Sequence, residues 1–327
     1  MDNIPKDIDA PKILIVQIGK LGDMILTTPL FSNLKLLYPN CEIHVLASQL
    51  NYEIPLYHKD VQSTHIYKKG SLRTIPLLMR LRQNRFDYWI DTKIEYSRTS
   101  RTLVRYAKPI RSLGYNNDDN LFDSDLAEYK IGIHAVEINL TPLKVLAPFF
   151  TIESKRPTLF IPGKAKEKVK PFLNEIPGKK TLLNISAGKT NRIWGREKWK
   201  KLLELFNEDD EWSIIINAYG YDDKEVAKML IEQVKNKNIY WYSGKYMEIA
   251  EIVKYCNAVI SADTSIVHMA SAFNVPVVDM FTNVKWNIER FAPLSDKSEI
   301  IVSEDKDSLK TITPEMVFRA LQELKIS

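Results

Sequence analysis

The segment Lys12 to Ile18, KILIVQI, is an almost unbroken apolar run that stops at Gly19. It lacks the in-and-out alternation of a half-exposed strand. That suits a strand covered on both faces, the normal state of strands in parallel sheets flanked by crossover helices. A helix is therefore expected next, and after Pro29 the residues Leu30, Leu34 and Leu37 recur at helical spacing until Tyr38-Pro39-Asn40 closes the tract. The alternation continues with a strand over 43–47, a helix near 51–57, a strand over 64–67, a helix over 72–82, a strand over 86–91, a basic helix over 97–106, a strand over 111–115 and a helix over 136–149. The polar stretch 116–129 reads as a loop.

A second series opens near Lys180. Its strands are TLLNIS, WSIIINA, IYWYS, AVISA and PVVDMF, and helices are expected over 197–206, 223–234, 248–255 and 265–273. Repeated βαβ units in both halves predict two doubly wound parallel sheets. The length of 327 residues also exceeds the roughly 100 to 200 of an average domain. Residues 153–180 carry four prolines and a run of lysines, which suits a linker with a short helix. We therefore place one domain at 1–160 and a second at 161–312. Thr313-Pro314-Glu315 reads as a cap with proline at the first helical position, opening a terminal helix over 313–327 that is expected to pack back on the first domain.

Composition excludes several classes. With 45% hydrophobic and 27% charged residues and a net charge of +5, the chain has ordinary globular composition; the small positive excess suits an anionic substrate or a membrane surface. Cys41 and Cys256 are far apart and fit neither a disulfide framework nor a zinc site, so a reducing, cytoplasmic setting is expected. The N-terminal MDNIPKDIDAPK lacks an apolar signal segment, and no run approaches the ~18 apolar residues of a span, so any membrane contact is expected to be peripheral. Net charge alone gives no support to nucleic-acid binding.

Three motifs fall at the carboxyl ends of expected strands, where ligands collect in open α/β sheets. Gly19-Lys20-Leu21-Gly22-Asp23 follows the first strand. Its GxxG spacing is not the GxGxxG dinucleotide fingerprint, and Asp23 reads equally as a helix cap or as a reactive carboxylate. Ser186-Ala187-Gly188-Lys189-Thr190-Asn191-Arg192 is small, polar and cationic, which would complement a pyrophosphate, although a solvated basic loop is the plain alternative. In AVISADTSIVH, Asp263 and Thr264 lead straight into a helix that carries Ser265 and His268. They would either present first-turn backbone donors to an anion or simply cap and pack. Asp123-Ser124-Asp125 has DxD form but lies in the polar loop, so no metal is expected there.

Taken together, ILIVQIGKLGDMILTTPLFSNLKLLYPNCEIHVLA, NISAGKTNRIWGREKWKKLL and SGKYMEIAEIVKYCNAVISADTSIVHMASAFNVPVVDMF resemble glycosyltransferase family 9, the bacterial heptosyltransferases of lipopolysaccharide core assembly. The resemblance implies an α/β GT-B architecture, two Rossmann-like domains facing a cleft, and inverting, metal-independent transfer without a cofactor. It implies an acceptor in the first domain, a nucleotide-sugar donor such as ADP-heptose in the second, and a lipopolysaccharide core partner at the cytoplasmic face of the inner membrane.

By motif match, Asp23 takes the place of the general base beside Gly22. Arg192 stands where the family has a phosphate-binding lysine. Asp263, Thr264 and Ser265 match a DTG motif, with Ser265 replacing its glycine, and His268 matches the histidine that follows. The ribose carboxylate falls among Asp222, Asp223 and Glu225, with Asp222 favoured, and the adenine edge is expected over 244–247, ending at Met247. Lys68, Lys69, Arg73, Arg98, Arg101 and Arg105 are either acceptor ligands or solvated helix faces. A transferase of the same family with another nucleotide sugar, and a nucleotide-binding assembly protein without turnover, are the rival readings.

Overall fold

The computed structural model describes residues 9–206, 211–234 and 238–326, apart from the side chains of 71–73. The chain divides into two compact units, the first reaching Phe160 and the second opening at Ile161, inside the stretch rich in proline and lysine.

The first unit begins with β1 (Lys12–Gln17), α1 (Leu21–Ile25), α2 (Thr28–Leu37), β2 (Glu42–Ser48), α3 (Glu53–Tyr57), β3 (Ser63–Tyr67) and α4 (Ser71–Asn84). It continues with β4 (Tyr88–Asp91), α5 (Arg98–Ala107), β5 (Arg111–Gly114), β6 (Ser124–Asp125), α6 (Ala135–Leu140) and α7 (Pro142–Leu146). Its sheet is parallel throughout, in the order β3-β2-β1-β4-β5-β6. As the unbroken apolar run requires, Ile13 to Val16 are buried at the centre.

The second unit contains α8 (Gly163–Asn174), β7 (Lys179–Asn184), α9 (Arg196–Phe206), β8 (Trp212–Asn217), α10 (Tyr221–Val234), β9 (Ile239–Tyr242) and α11 (Tyr246–Lys254). There follow β10 (Ala258–Ala262), α12 (Ser265–Phe273), β11 (Val277–Phe281), α13 (Lys285–Phe291), β12 (Ser298–Val302) and α14 (Pro314–Glu323). The order β12-β11-β10-β7-β8-β9 is again all parallel. The chain therefore consists of two doubly wound α/β units. Among the described residues, no helix is long and apolar enough to cross a membrane.

Several expectations are corrected. The helix read over 136–149 breaks at Thr141-Pro142, because proline has no N–H to continue α6 and instead opens α7. The 116–129 loop contains the short strand β6. There Asp123 Oδ2 accepts from the Ser112 backbone N–H (2.6 Å) and hydroxyl (2.8 Å), and Asp125 accepts from the Ala127 N–H, so the DxD carboxylates are tied up in turn geometry. Helix α13 and edge strand β12 were not expected at all. The terminal helix α14, expected on the first domain, buries Val317, Ala320 and Leu321 in the core of the second unit with Trp199, Leu202 and Ile301.

Candidate functional site

In the first unit the turn after β1 is pinned from below. Asn51 Nδ2 donates to the carbonyls of Gln17 (3.0 Å), Gly19 (3.3 Å) and Lys20 (3.2 Å), and Ser48 Oγ donates to that of Gly19 (2.9 Å). Asp23 is not the N-cap residue itself, but its carboxylate does cap the helix start from within the first turn. It is the third residue of α1, where its Oδ2 accepts from the Lys20 N–H at 3.1 Å. A carboxylate there is favoured by the helix dipole. Its Oδ1 carries no hydrogen bond among the described residues, and the side chain is half-buried beside Gly22. A Cβ on Gly19 would lie 2.8 Å from Gln17 Oε1 and 3.0 Å from Asp23 Oδ2, so the carboxylate sits where it does because residue 19 has no side chain.

The expected acceptor cations do not form one group. Lys69 is exposed after β3, and Arg98 is exposed at the start of α5. The Arg73 side chain lies outside the described residues. Arg101 is turned inward: it is buried, pairs with Asp119, donates to the Asn116 carbonyl at 3.0 Å and stacks 5.0 Å from the Tyr96 ring centroid. These contacts commit it to holding the segment that follows β5.

The second unit gathers most of its expected residues. Ser186 Oγ accepts from the Tyr219 N–H at 2.6 Å, tying the ends of β7 and β8. Ala187, Gly188, Lys189 and Thr190 then form an outward loop in which Gly188, Lys189 and Thr190 are exposed, and a short turn delivers Arg192. The Arg192 guanidinium lies 2.6 Å from the Asp263 carboxylate and donates to the Asp263 carbonyl at 2.6 Å. Asn287 Nδ2 donates to the same carboxylate at 2.7 Å.

Thr264 caps α12, its Oγ1 accepting from the Ile266 N–H at 3.3 Å, and Ser265 opens the helix without the positive φ that would call for glycine. His268 is buried one turn further on, with its ring centroid 6.2 Å from that of Phe291. Asp222 is exposed in the first turn of α10 and Asp223 is half-buried, whereas Glu225 is held by Lys228 at 2.7 Å.

Met247 is buried at the start of α11. Just before it, a Cβ on Gly244 would fall 2.2 Å from the Tyr242 ring, so the chain passes close there. Glu248 accepts from Lys168 Nζ (2.8 and 2.9 Å) and Tyr242 OH (2.9 Å). Burial pushes its carboxyl up, but these donors together pull it below the usual carboxylate range. Burial and then Glu248 raise the Tyr242 hydroxyl to about 12.

Beneath these groups runs a polar row missed in the sequence. Asn217, Asn184, Ser261 and Asp279 are buried register partners on four adjacent strands. Asn217 Nδ2 donates to Asn184 Oδ1 (2.8 Å), and Asn184 Nδ2 donates to Ser261 Oγ (2.9 Å), Thr264 Oγ1 (3.1 Å) and the Ser186 carbonyl (3.1 Å). One amide thus joins the β7 loop to the β10 turn. At the end of the row Asp279 is fully buried, with neither oxygen hydrogen-bonded among the described residues. Burial, reinforced by Asp263, pushes its carboxyl well above the ordinary value, and Arg192 only partly offsets this. The only signal for the row is one polar residue within or closing each apolar strand, last in β7 and β8 but inside β10 and β11; Asn287 gives none.

The combination of a guanidinium, a capped helix start and small loop residues suits an anion of the pyrophosphate kind. Among the described residues, no three His, Cys, Asp or Glu side chains cluster as metal ligands.

The sequence model of glycosyltransferase family 9 (heptosyltransferase) matches residues 75–318. Lipooligosaccharide heptosyltransferase 2 of Haemophilus influenzae is 24% identical over 95% of this chain and 99% of its own length. Among solved structures, a family 9 glycosyltransferase from Veillonella parvula superposes with a TM-score of 0.82 at 17% identity, covering 96% of this chain and 97% of that one. An Escherichia coli heptosyltransferase crystallised with ADP gives 0.75 at 16% identity, covering 96% and 99%.

Proposed function

Because the chain belongs to glycosyltransferase family 9 and has its two-unit fold, we propose that this glycosyltransferase moves heptose from ADP-heptose to a sugar of a lipopolysaccharide core, inverting the anomeric centre without a metal. The observation that carries this reading is the Arg192–Asp263 pair beside the capped start of α12. It fixes a guanidinium, balanced by its carboxylate partner, beside backbone donors for a leaving diphosphate, the group whose departure an inverting displacement must stabilise. Asp23 supplies the other half. With Oδ2 engaged by Lys20, Oδ1 takes the proton of the attacking hydroxyl as the new glycosidic bond forms and the bond to the diphosphate breaks.

The donor is tested by offering a panel of nucleotide sugars with a deacylated core acceptor. Turnover with ADP-heptose is expected; turnover with a UDP-sugar and none with ADP-heptose would overturn the donor assignment while leaving the family intact.

A further inference from the structure

Helices α4 and α5 lie side by side on one face of the first sheet. Leu77 and Leu81 of α4 share a core cluster with Leu103, Val104 and Ala107 of α5, above Leu14, Val16 and Trp89, and Arg82 Nη1 reaches the Ala107 carbonyl at 3.4 Å. Their outward faces therefore form one surface. On α4, Ile75 and Met79 are 53% and 60% exposed and share a helical line with Arg82, at spacings i, i+4 and i+7. On α5, Tyr106 is 59% exposed beside exposed Arg105.

The charge carried by the two helices themselves has one sign. The two helices contain Arg73, Arg80, Arg82, Arg98, Arg101 and Arg105 and no acidic residue. Asp119 takes Arg101 and Arg105, and among the described residues no carboxylate pairs with Arg80 or Arg82. Large apolar side chains held out in water on rigid helices are costly, and here they lie between guanidinium groups that no carboxylate of the described residues neutralises. They match a layer with anionic headgroups above hydrocarbon. A nucleic acid would leave Ile75 and Met79 unused, and a second copy of this face would bring like charges together.

We propose that the outward face of α4 and α5 docks on an anionic bilayer, with Ile75 and Met79 entering the headgroup layer and Arg80 and Arg82 meeting lipid phosphates. The proposal goes beyond the transfer reaction and does not depend on which sugar is moved.

The test is co-sedimentation of the full chain with phosphatidylcholine vesicles that do or do not contain phosphatidylglycerol. Binding is expected only with phosphatidylglycerol, weakening as salt rises. Arg80→Glu/Arg82→Glu should weaken it at least about 25-fold, taking roughly fivefold per charge, and Met79→Glu should weaken it separately. Transfer to a deacylated, water-soluble acceptor should be unchanged. If the double variant melts early, Arg80→Glu alone carries the test, with about fivefold weaker binding expected. No binding to the anionic vesicles, binding indifferent to these substitutions, or Met79→Glu abolishing self-association instead of vesicle binding would overturn the proposal. A failure of ADP-heptose turnover would leave the vesicle result untouched, so the two readings fail separately.

Discussion

Arg192 is held by both parts of one residue, its guanidinium 2.6 Å from the Asp263 carboxylate and donating to the Asp263 carbonyl at 2.6 Å. Ordering a long cationic side chain costs on the order of 1–2 kcal/mol, and here that cost is met before any ligand arrives. Charge-assisted hydrogen bonds contribute about 1.5–3 kcal/mol. Arg192→Ala should therefore raise the donor KM by about 10- to 100-fold, with Arg192→Lys in between because it keeps the charge and loses the fork. Calorimetric titration with ADP checks this, and parental affinity in Arg192→Ala would remove Arg192 from the site.

Asp23→Asn keeps the shape of the side chain and its bond from Lys20 but cannot take a proton. We expect kcat to fall by about 10²- to 10⁴-fold with ADP affinity unchanged. Gly19→Ala should act in the same direction, because its methyl group would crowd Gln17 Oε1 and the Asp23 carboxylate. Product formation in step with the parent in Asp23→Asn would show that another group is the base.

Asp279 gives a stability prediction with a definite sign. Its folded-state pKa lies above the unfolded value, so its proton is retained only in the folded protein, and stability is lost as pH rises from about 4 through that raised value. Asp279→Asn should thus raise the melting temperature, and by more at pH 8 than at pH 5. An equal gain at both pH values would mean that the carboxyl is not protonated in the fold.

Two histidines of the first unit act in the opposite direction. His58, wedged between Phe31 and Phe160, and His65, 3.0 Å from the His44 ring nitrogen, are both pushed down to about 4, chiefly by burial. Their folded values lie below the unfolded 6.5, so the stability of the neutral rings is present above pH ~6.5 and is lost as pH falls towards 4. A melting temperature that drops over this window, and drops less in His65→Leu, is the expected outcome of thermal unfolding across pH.

How much of this is legible in the sequence depends on local pattern. Strands β1 and β10 stand out because burial on both faces makes continuous apolar runs, and β10 coincides with the expected AVISA. β12 is half-exposed at the sheet edge and looks like loop. Asp23, Arg192 and Asp263 can be found from motifs at strand ends, but the partner Asn287, 95 residues beyond Arg192, depends on tertiary structure alone. Arg101 resembles its exposed neighbour Arg98 in sequence, yet only the packing of Tyr96 and the position of Asp119 turn it inward.

The amide chain Asn217–Asn184–Ser261 also bears on how the second sheet assembles. Strands that are apolar on both sides can slide past one another, since hydrophobic contact alone barely distinguishes neighbouring alignments. A slip of β7 by one residue would turn Asn184 to the other face, away from both partners, and leave buried amides bare at about 1–3 kcal/mol for each unmet group. The groups beneath the loops that follow β7 and β10 thus also select the one alignment in which those loops can exist.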